Sequence, residues 1–255
     1  MIVGRAVAKV SNSADGCTFQ NESYGADISG STFRIFDTVG LNEGDQGRVP
    51  HWKAIQELYT LIRQLDGVSL LVFCMRGRIR ENTRANWILF NKVICAEKVP
   101  IIAVVTGLED EANLDDWWGR KENKDAFRRY NMKPKAVGCI VSVRGDQNQY
   151  DAKYRASQKK LRNLIEISHR REPWSKEKEA WFARIYADVF EAGICFFARR
   201  RKEFTAVMRN AFDEFVKEVG MNEDDSEKLK RSLLKAEKVI EKGKGPKKHR
   251  QRTKQ

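Results

Sequence analysis

An aspartate followed three residues later by a glycine occurs at Asp27 and Gly30, Asp37 and Gly40, and Asp116 and Gly119. A carboxylate can hold a divalent cation, and a glycine N–H can approach an anion because no side chain blocks it. Ligands of an α/β sheet lie at the carboxyl ends of its strands, and only Asp37 directly follows an apolar strand pattern, residues 32–36. Asp37 and Gly40 are the candidate ligand-binding pair, with an ordinary strand-end turn as the alternative. We assign the Asp27 pair to a polar loop and the Asp116 pair to a helix.

Polar residues also follow two other apolar runs. Residues 106–110 (TGLED) come directly after the run 101–105, and Ser142 lies near the end of the run 137–143. Thr106 and Ser142 offer hydroxyls, and either Glu109 or Asp110 offers a carboxylate acceptor. An acidic loop that caps the next helix is the alternative for residues 109–110.

The elements that must position these residues alternate between strands and helices. Strand patterns cover residues 32–36, 70–75, 101–105 and 137–143. The last three are nearly continuous apolar runs, which are typical of parallel strands buried on both faces. Apolar residues at helical spacing lie between them. This order predicts an α/β fold with βαβ units and a mostly parallel sheet.

The alternation stops after residue 169. Residues 174–219 have a helical pattern with many aromatic residues, residues 221–226 form an acidic break, and residues 227–240 predict a short charged helix. We therefore divide the chain into a main domain at residues 1–168, a helical extension at 174–221, and a charged helix with a basic tail at 222–255. The aromatic face of the extension is expected to pack back onto the main domain, and a dimer or partner surface is the alternative.

The formal charge of the 255-residue chain is +13, which favours anionic partners. Between residues 242 and 254 there are seven Lys or Arg and no acid, so the tail carries about half of that charge. The five cysteines are far apart and show no zinc or haem spacing. No apolar run approaches the ~20 residues of a membrane span. These features predict a cytoplasmic protein.

With its motifs in this order, the chain resembles the septin-like GTPases, in particular the immunity-associated (GIMAP-like) branch and related small G-domain proteins of fungi. The matching residues are Val3-Gly4-Arg5, Cys17-Thr18 and Phe36-Asp37-Thr38-Val39-Gly40-Leu41. The resemblance covers a little over half of the chain. It implies a three-layer α/β/α P-loop NTPase-like sheet, with GTP or GDP and Mg²⁺ as ligands and a possible homodimer through the G domain.

The resemblance also implies residue roles. Thr18 and Asp37 would hold Mg²⁺, and the Gly40 N–H would contact the γ-phosphate. Thr106 matches the first position of the guanine-reading [N/T]-K-x-D motif. Gly107 stands in place of its lysine, and Glu109 or, in a shifted frame, Asp110 would accept hydrogen bonds from the guanine ring. Ser142 would belong to the loop behind the base.

The phosphate-cradling motif G-x-x-x-x-G-K-[S/T] does not occur in the sequence. Residues 25–32 come near it, but Ser31 replaces the lysine and a strand pattern follows, so we reject them. The resemblance then implies that the first strand, its loop and most of the next helix precede Met1. A degenerate domain that binds nucleotide poorly is the alternative, and we favour truncation because the remaining motifs are in order.

Three functions compatible with these observations are a GTP-binding domain of GTPase ancestry, an interaction module that keeps the fold without nucleotide, and a binder of RNA or anionic membrane surfaces through the basic tail. The resemblance implies GTP hydrolysis only if the upstream loop exists. Leu41 stands where Ras-like enzymes keep a water-orienting glutamine, so hydrolysis is expected to be slow.

Overall fold

The structure is a computed structural model that describes residues 1–4, 22–38, 51–79, 81–175, 210–218 and 220–243. Within those ranges the fold is mixed α/β. Two strands form an antiparallel pair, three more form a parallel sheet, and helices pack around them.

The antiparallel pair joins β1 (Glu22–Ile28) to β2 (Ser31–Asp37), with Ile28 opposite Ser31. The two turn residues, Ser29 and Gly30, have φ of 48° and 82°. Positive φ at both positions is the type I′ geometry that suits the right-handed twist of a two-residue hairpin. The prediction that Asp27 lies in a polar loop is wrong, because Asp27 is part of β1. The rejected segment 25–32 spans this hairpin and leads into a strand.

The parallel sheet has the order β3 (Leu71–Arg76), β4 (Ile101–Thr106) and β5 (Ala136–Cys139). Residues of β4 alternate between two hydrophobic clusters, because Ile101, Ala103 and Val105 pack on one face while Ile102 and Val104 pack on the other. Burial on both faces explains why this strand is an unbroken apolar run. The predicted strand 137–143 is too long, since β5 ends at Cys139.

Six α-helices with defined bounds surround the strands in the described part of the chain: α1 (His51–Gln64), α2 (Glu81–Trp87), α3 (Leu114–Gly119), α4 (Lys121–Arg129), α5 (Asp151–Ser168) and α6 (Glu223–Gly243). A π-helical segment, Ile88–Ile94, follows α2 directly, and residues 210–218 are also helical. The helical segment between β4 and β5 is divided into α3 and α4, which meet around Gly119 and Arg120.

The helix α5 covers one face of β4 and also holds the hairpin. Its Leu161 and Ile165 pack with Ile28 of β1 and with Ile102 and Val104 of β4. The Arg162 guanidinium donates hydrogen bonds to the carbonyls of Ile2 and Asp27, and the Gln158 amide donates to the carbonyl of Met1 at 2.7 Å. The hairpin and the parallel sheet are therefore joined through α5.

The C-terminal helices pack onto α1 and α2. Phe212 and Phe215 are fully buried in a cluster with Leu58 of α1 and Leu229 of α6. Ion pairs support this contact: Arg84 binds Glu214 at 3.2 Å and also Glu218, and Lys92 binds Glu214 at 2.9 Å. The described part of the aromatic face therefore packs against the main body, and the rest of that prediction lies outside the described residues.

The acidic break predicted at residues 221–226 is wrong, because α6 begins at Glu223. The side chain of Asn222 accepts a hydrogen bond from the Asp225 N–H at 2.8 Å, as an N-cap residue does. The acids Glu223 to Asp225 fall in the first turn, where negative charge stabilises a helix. None of the described helices has the length and apolar content to cross a membrane.

Candidate functional site

A cavity of about 590 Å³ lies at the carboxyl ends of the parallel strands. It is lined by Arg76, Thr106, Gly107, Glu109, Asp110, Ser142, Val143 and Tyr150. Four residues nominated from the sequence, Thr106, Glu109, Asp110 and Ser142, thus line the same cavity. Its volume is within the range of about 300–1,000 Å³ typical of small-molecule sites.

The parallel register explains why these residues meet. Arg76 and Thr106 are paired at the ends of β3 and β4, and the Ile140 N–H donates to the Val105 carbonyl at 2.9 Å just beyond β5. The three parallel strands therefore end at nearly the same level of the sheet. The Thr106 hydroxyl donates to the Met75 carbonyl at 3.3 Å, which fixes its side chain against β3 while its oxygen can still accept a hydrogen bond.

The loop after β4 is held at several points. Leu108 is buried, which anchors the loop between Gly107 and Glu109. The Lys153 ammonium of α5 donates to the backbone carbonyls of Glu109 and Glu111, at 2.8 and 2.9 Å. The backbone is therefore held on both sides of Asp110.

The N-cap of α3 shows whether Glu109 and Asp110 cap this helix, which is the alternative to their role in ligand binding. Asn113 is the N-cap residue, and its side chain accepts from the Asp115 N–H at 3.2 Å. Glu109 and Asp110 precede this cap and do not make it. Glu111 instead forms a two-point ion pair with Arg120 at 2.7 and 2.9 Å, which raises the pKa of Arg120. The carboxylates of residues 109 and 110 remain available to the cavity.

The loop that carries Ser142 is fixed by contacts on both sides. The Val141 N–H donates to the buried Ser157 hydroxyl at 2.9 Å. Gly145 has φ of 73°, and a Cβ there would lie 2.6 Å from Cδ2 of Tyr150. A side chain at residue 145 would therefore displace Tyr150, which lines the cavity.

Arg144 attaches the same loop to α5. Its guanidinium forms an ion pair with Asp151 and lies 4.6 Å from the centre of the Tyr154 ring. Its carbonyl accepts from the Tyr150 N–H at 2.8 Å. These contacts join the loop to the first turns of α5, which also supplies Lys153.

Three lining residues, Arg76, Val143 and Tyr150, were not predicted from the sequence. Arg76 is the charged one of the three. It lies alongside Gly107: a Cβ built on Gly107 would be 3.2 Å from the Arg76 Nε. The available signal was an arginine directly after the strand run LLVFCM, in the same relation to β3 that Thr106 has to β4.

The predicted Mg²⁺ and γ-phosphate residues are only partly described. Asp37 ends β2 and is exposed, whereas Thr18 and Gly40 lie outside the described residues. Asp37 does not line the cavity, but its charge reaches Cys74 of β3. The pKa of the Cys74 thiol is raised to about 11, mainly by burial and secondly by the negative charge of Asp37. Part of Cys74 is nevertheless accessible to solvent.

The described residues contain no group of three or more His, Cys, Asp or Glu side chains that could hold a metal ion. The Mg²⁺ role of Thr18 and Asp37 would use one carboxylate and one hydroxyl, so it stays a prediction. The residues that line the cavity carry hydroxyls, carboxylates and one guanidinium. Groups of these types can form hydrogen bonds and ion pairs.

No protein-family model matches the chain, and a search of curated proteins finds no match. The resemblance to septin-like GTPases therefore stays a prediction.

Proposed function

We propose that this chain is a GTP-binding protein of GTPase ancestry, with a G domain of the septin-like or GIMAP-like type. The supporting observation is the cavity itself. The strand patterns predict four site residues at or just after their ends, and all four line one cavity of a size suited to a small molecule: Thr106, Glu109, Asp110 and Ser142. Parallel strands that end at one edge of the sheet bring together residues more than thirty positions apart, as the proposed G domain requires.

Guanine carries N–H donors at N1 and N2, and a carboxylate that accepts from both excludes adenine. Glu109 and Asp110 both line the cavity, so either can take this role. The Ser142 and Thr106 hydroxyls would contact the base or ribose. Tyr150 and Val143 would shield the ring from solvent on the side of β5.

The proposed layering is that of a three-layer α/β/α P-loop NTPase-like sheet, in which a further strand would lie beside β3. Two observations support it. Helices α3 and α4 pack on one face of β4 through Trp117 and Phe127, and α5 packs on the other. In addition, β3 pairs only with β4 among the described strands, and Val72 of β3 is 37% exposed.

The chain offers fewer candidate contacts to the phosphates and Mg²⁺ than to the base. Asp37 with Thr18 would hold the metal, which would neutralise phosphate charge, and Gly40 would contact the γ-phosphate. The sequence lacks G-x-x-x-x-G-K-[S/T], whose backbone N–H groups and lysine normally hold the phosphates. We therefore propose weak nucleotide affinity, carried mainly by the base, and slow or absent hydrolysis.

Titration of the chain with GMP and with AMP, followed by saturation-transfer NMR, tests the proposal. A base-dominated contact should give a dissociation constant of about 1 mM for GMP, equivalent to about −4 kcal/mol. AMP should bind far more weakly. Equal binding of AMP and GMP would contradict a guanine site, and sub-micromolar affinity for GTP with Mg²⁺ would contradict the proposed lack of a phosphate cradle.

A second candidate is an interaction module that keeps the fold without nucleotide. Gly107 at the lysine position of the base motif favours it, because a glycine offers no side chain to the ligand. A folded chain that binds neither GMP nor GDP at millimolar concentration would support this candidate over the first. The third reading, an anionic binder acting through residues 243–255, lies mostly outside the described residues.

A further inference from the structure

The guanidinium of Arg76 occupies the space beside Gly107 where a side chain of residue 107 would begin. A Cβ on Gly107 would meet three Arg76 atoms, with Nε at 3.2 Å, Nη2 at 3.7 Å and Cγ at 3.9 Å. The Arg76 side chain therefore runs along the loop backbone. Gly107 has φ of 75°, a conformation that L side chains rarely adopt.

Arg76 also lines the same cavity as the two acidic residues, yet it forms no ion pair with them. Among the described residues, neither Glu109 nor Asp110 has a side-chain oxygen within 4.0 Å of a basic nitrogen, so the cation and the carboxylates stay apart. The Arg76 guanidinium is therefore not held by either carboxylate, which leaves it able to contact a ligand in the cavity. A guanidinium is planar and weakly hydrated, and it stacks readily on aromatic rings.

We propose that Arg76 is a ligand-contacting residue of this cavity, whose guanidinium packs against the ring of a bound purine base in place of a side chain at residue 107. The inference rests on the proposed guanine site and extends it to a residue outside the guanine-reading motif. Its contact is to the aromatic ring, so it strengthens binding without selecting guanine over adenine. Selection remains with the carboxylates.

The experiment compares the wild-type chain with Arg76→Ala and Arg76→Lys, using guanosine, GMP and GDP in saturation-transfer NMR. A cation–π contact predicts a loss of about 3- to 30-fold in affinity for Arg76→Ala. The loss should be equal for all three ligands, because each carries the same base. Arg76→Lys should recover part of the affinity for all three ligands equally, because an ammonium still makes a cation–π contact but lacks the planar stacking surface.

Arg78→Ala is the matched control. It removes the same charge two residues away, from a separate cavity of about 240 Å³ that Trp117 and Phe127 also line. Its affinities should equal those of the wild type. Circular dichroism of each variant checks that the fold is intact.

The outcomes separate this inference from the proposed function. A wild-type chain that binds none of the three ligands overturns both. Binding that is unchanged in Arg76→Ala overturns the role of Arg76 alone. A loss confined to GMP and GDP and restored by Arg76→Lys would make Arg76 a phosphate contact, which also overturns its assignment to the base.

Discussion

Replacing Phe212 by alanine should destabilise the whole chain. Phe212 is fully buried among residues of α1, α2 and α6. Truncation of a buried phenylalanine costs about 3–5 kcal/mol, because apolar contacts are lost and a cavity remains. For a chain of this size the midpoint of thermal unfolding should fall by about 6–20 °C. Asp213→Ala, which changes an exposed neighbour, should alter the stability by less than about 0.5 kcal/mol.

Hydrogen exchange read by mass spectrometry tests the same variant at separate locations. If the C-terminal helices belong to the cooperative unit of the sheet, Phe212→Ala should accelerate exchange in β4 as well as in residues 210–218. A loss of 3–5 kcal/mol corresponds to about 100- to 4,000-fold faster exchange through global unfolding. Unchanged exchange in β4, with acceleration only in residues 210–218 and α6, would refute this reasoning and make the extension an independent unit.

Two further predictions concern single side chains. Lys153→Met removes both hydrogen bonds to the loop after β4, so it should lower the free energy of unfolding by about 1–2 kcal/mol and weaken GMP binding. A variant with unchanged stability and unchanged GMP affinity would contradict the anchoring role. Cys74 should react slowly with iodoacetamide at pH 8, because a pKa of about 11 instead of 9.0 leaves about 100-fold less thiolate. The reaction should stay slow until the pH approaches 11. Peptide mass spectrometry of folded and urea-unfolded chain measures that rate, and equal rates would contradict the raised pKa.

The apolar runs of the parallel strands were sufficient to predict their places in the fold. Strand β4 is apolar at five consecutive positions because both of its faces are buried, and few other structures need that pattern. The shared cavity at the strand ends followed from the same reasoning. The length of β5 did not, because residues 140 to 143 remain apolar or small after the strand hydrogen bonds have ended.

Strand β1 was missed because its alternation is weak. It contains Gly25 and Asp27, which are uncommon in strands, and only Ala26 and Ile28 of its inner face are buried. Its stability comes from pairing with β2 and from the contacts of α5. Arg76 was missed for a similar reason, since its role depends on a neighbour thirty-one positions away. Contacts of that range are set by tertiary structure, which local patterns do not encode.

The central claim is most directly tested by comparing Glu109→Gln and Asp110→Asn for binding of GMP and AMP. Each substitution removes a carboxylate and leaves the size of the side chain nearly unchanged. We predict that one of them reduces GMP affinity by about tenfold or more, as expected for loss of a charged acceptor. Affinity for AMP should not change, and the other variant should resemble the wild type. GMP binding that is unaffected by both substitutions would contradict a guanine site at this cavity.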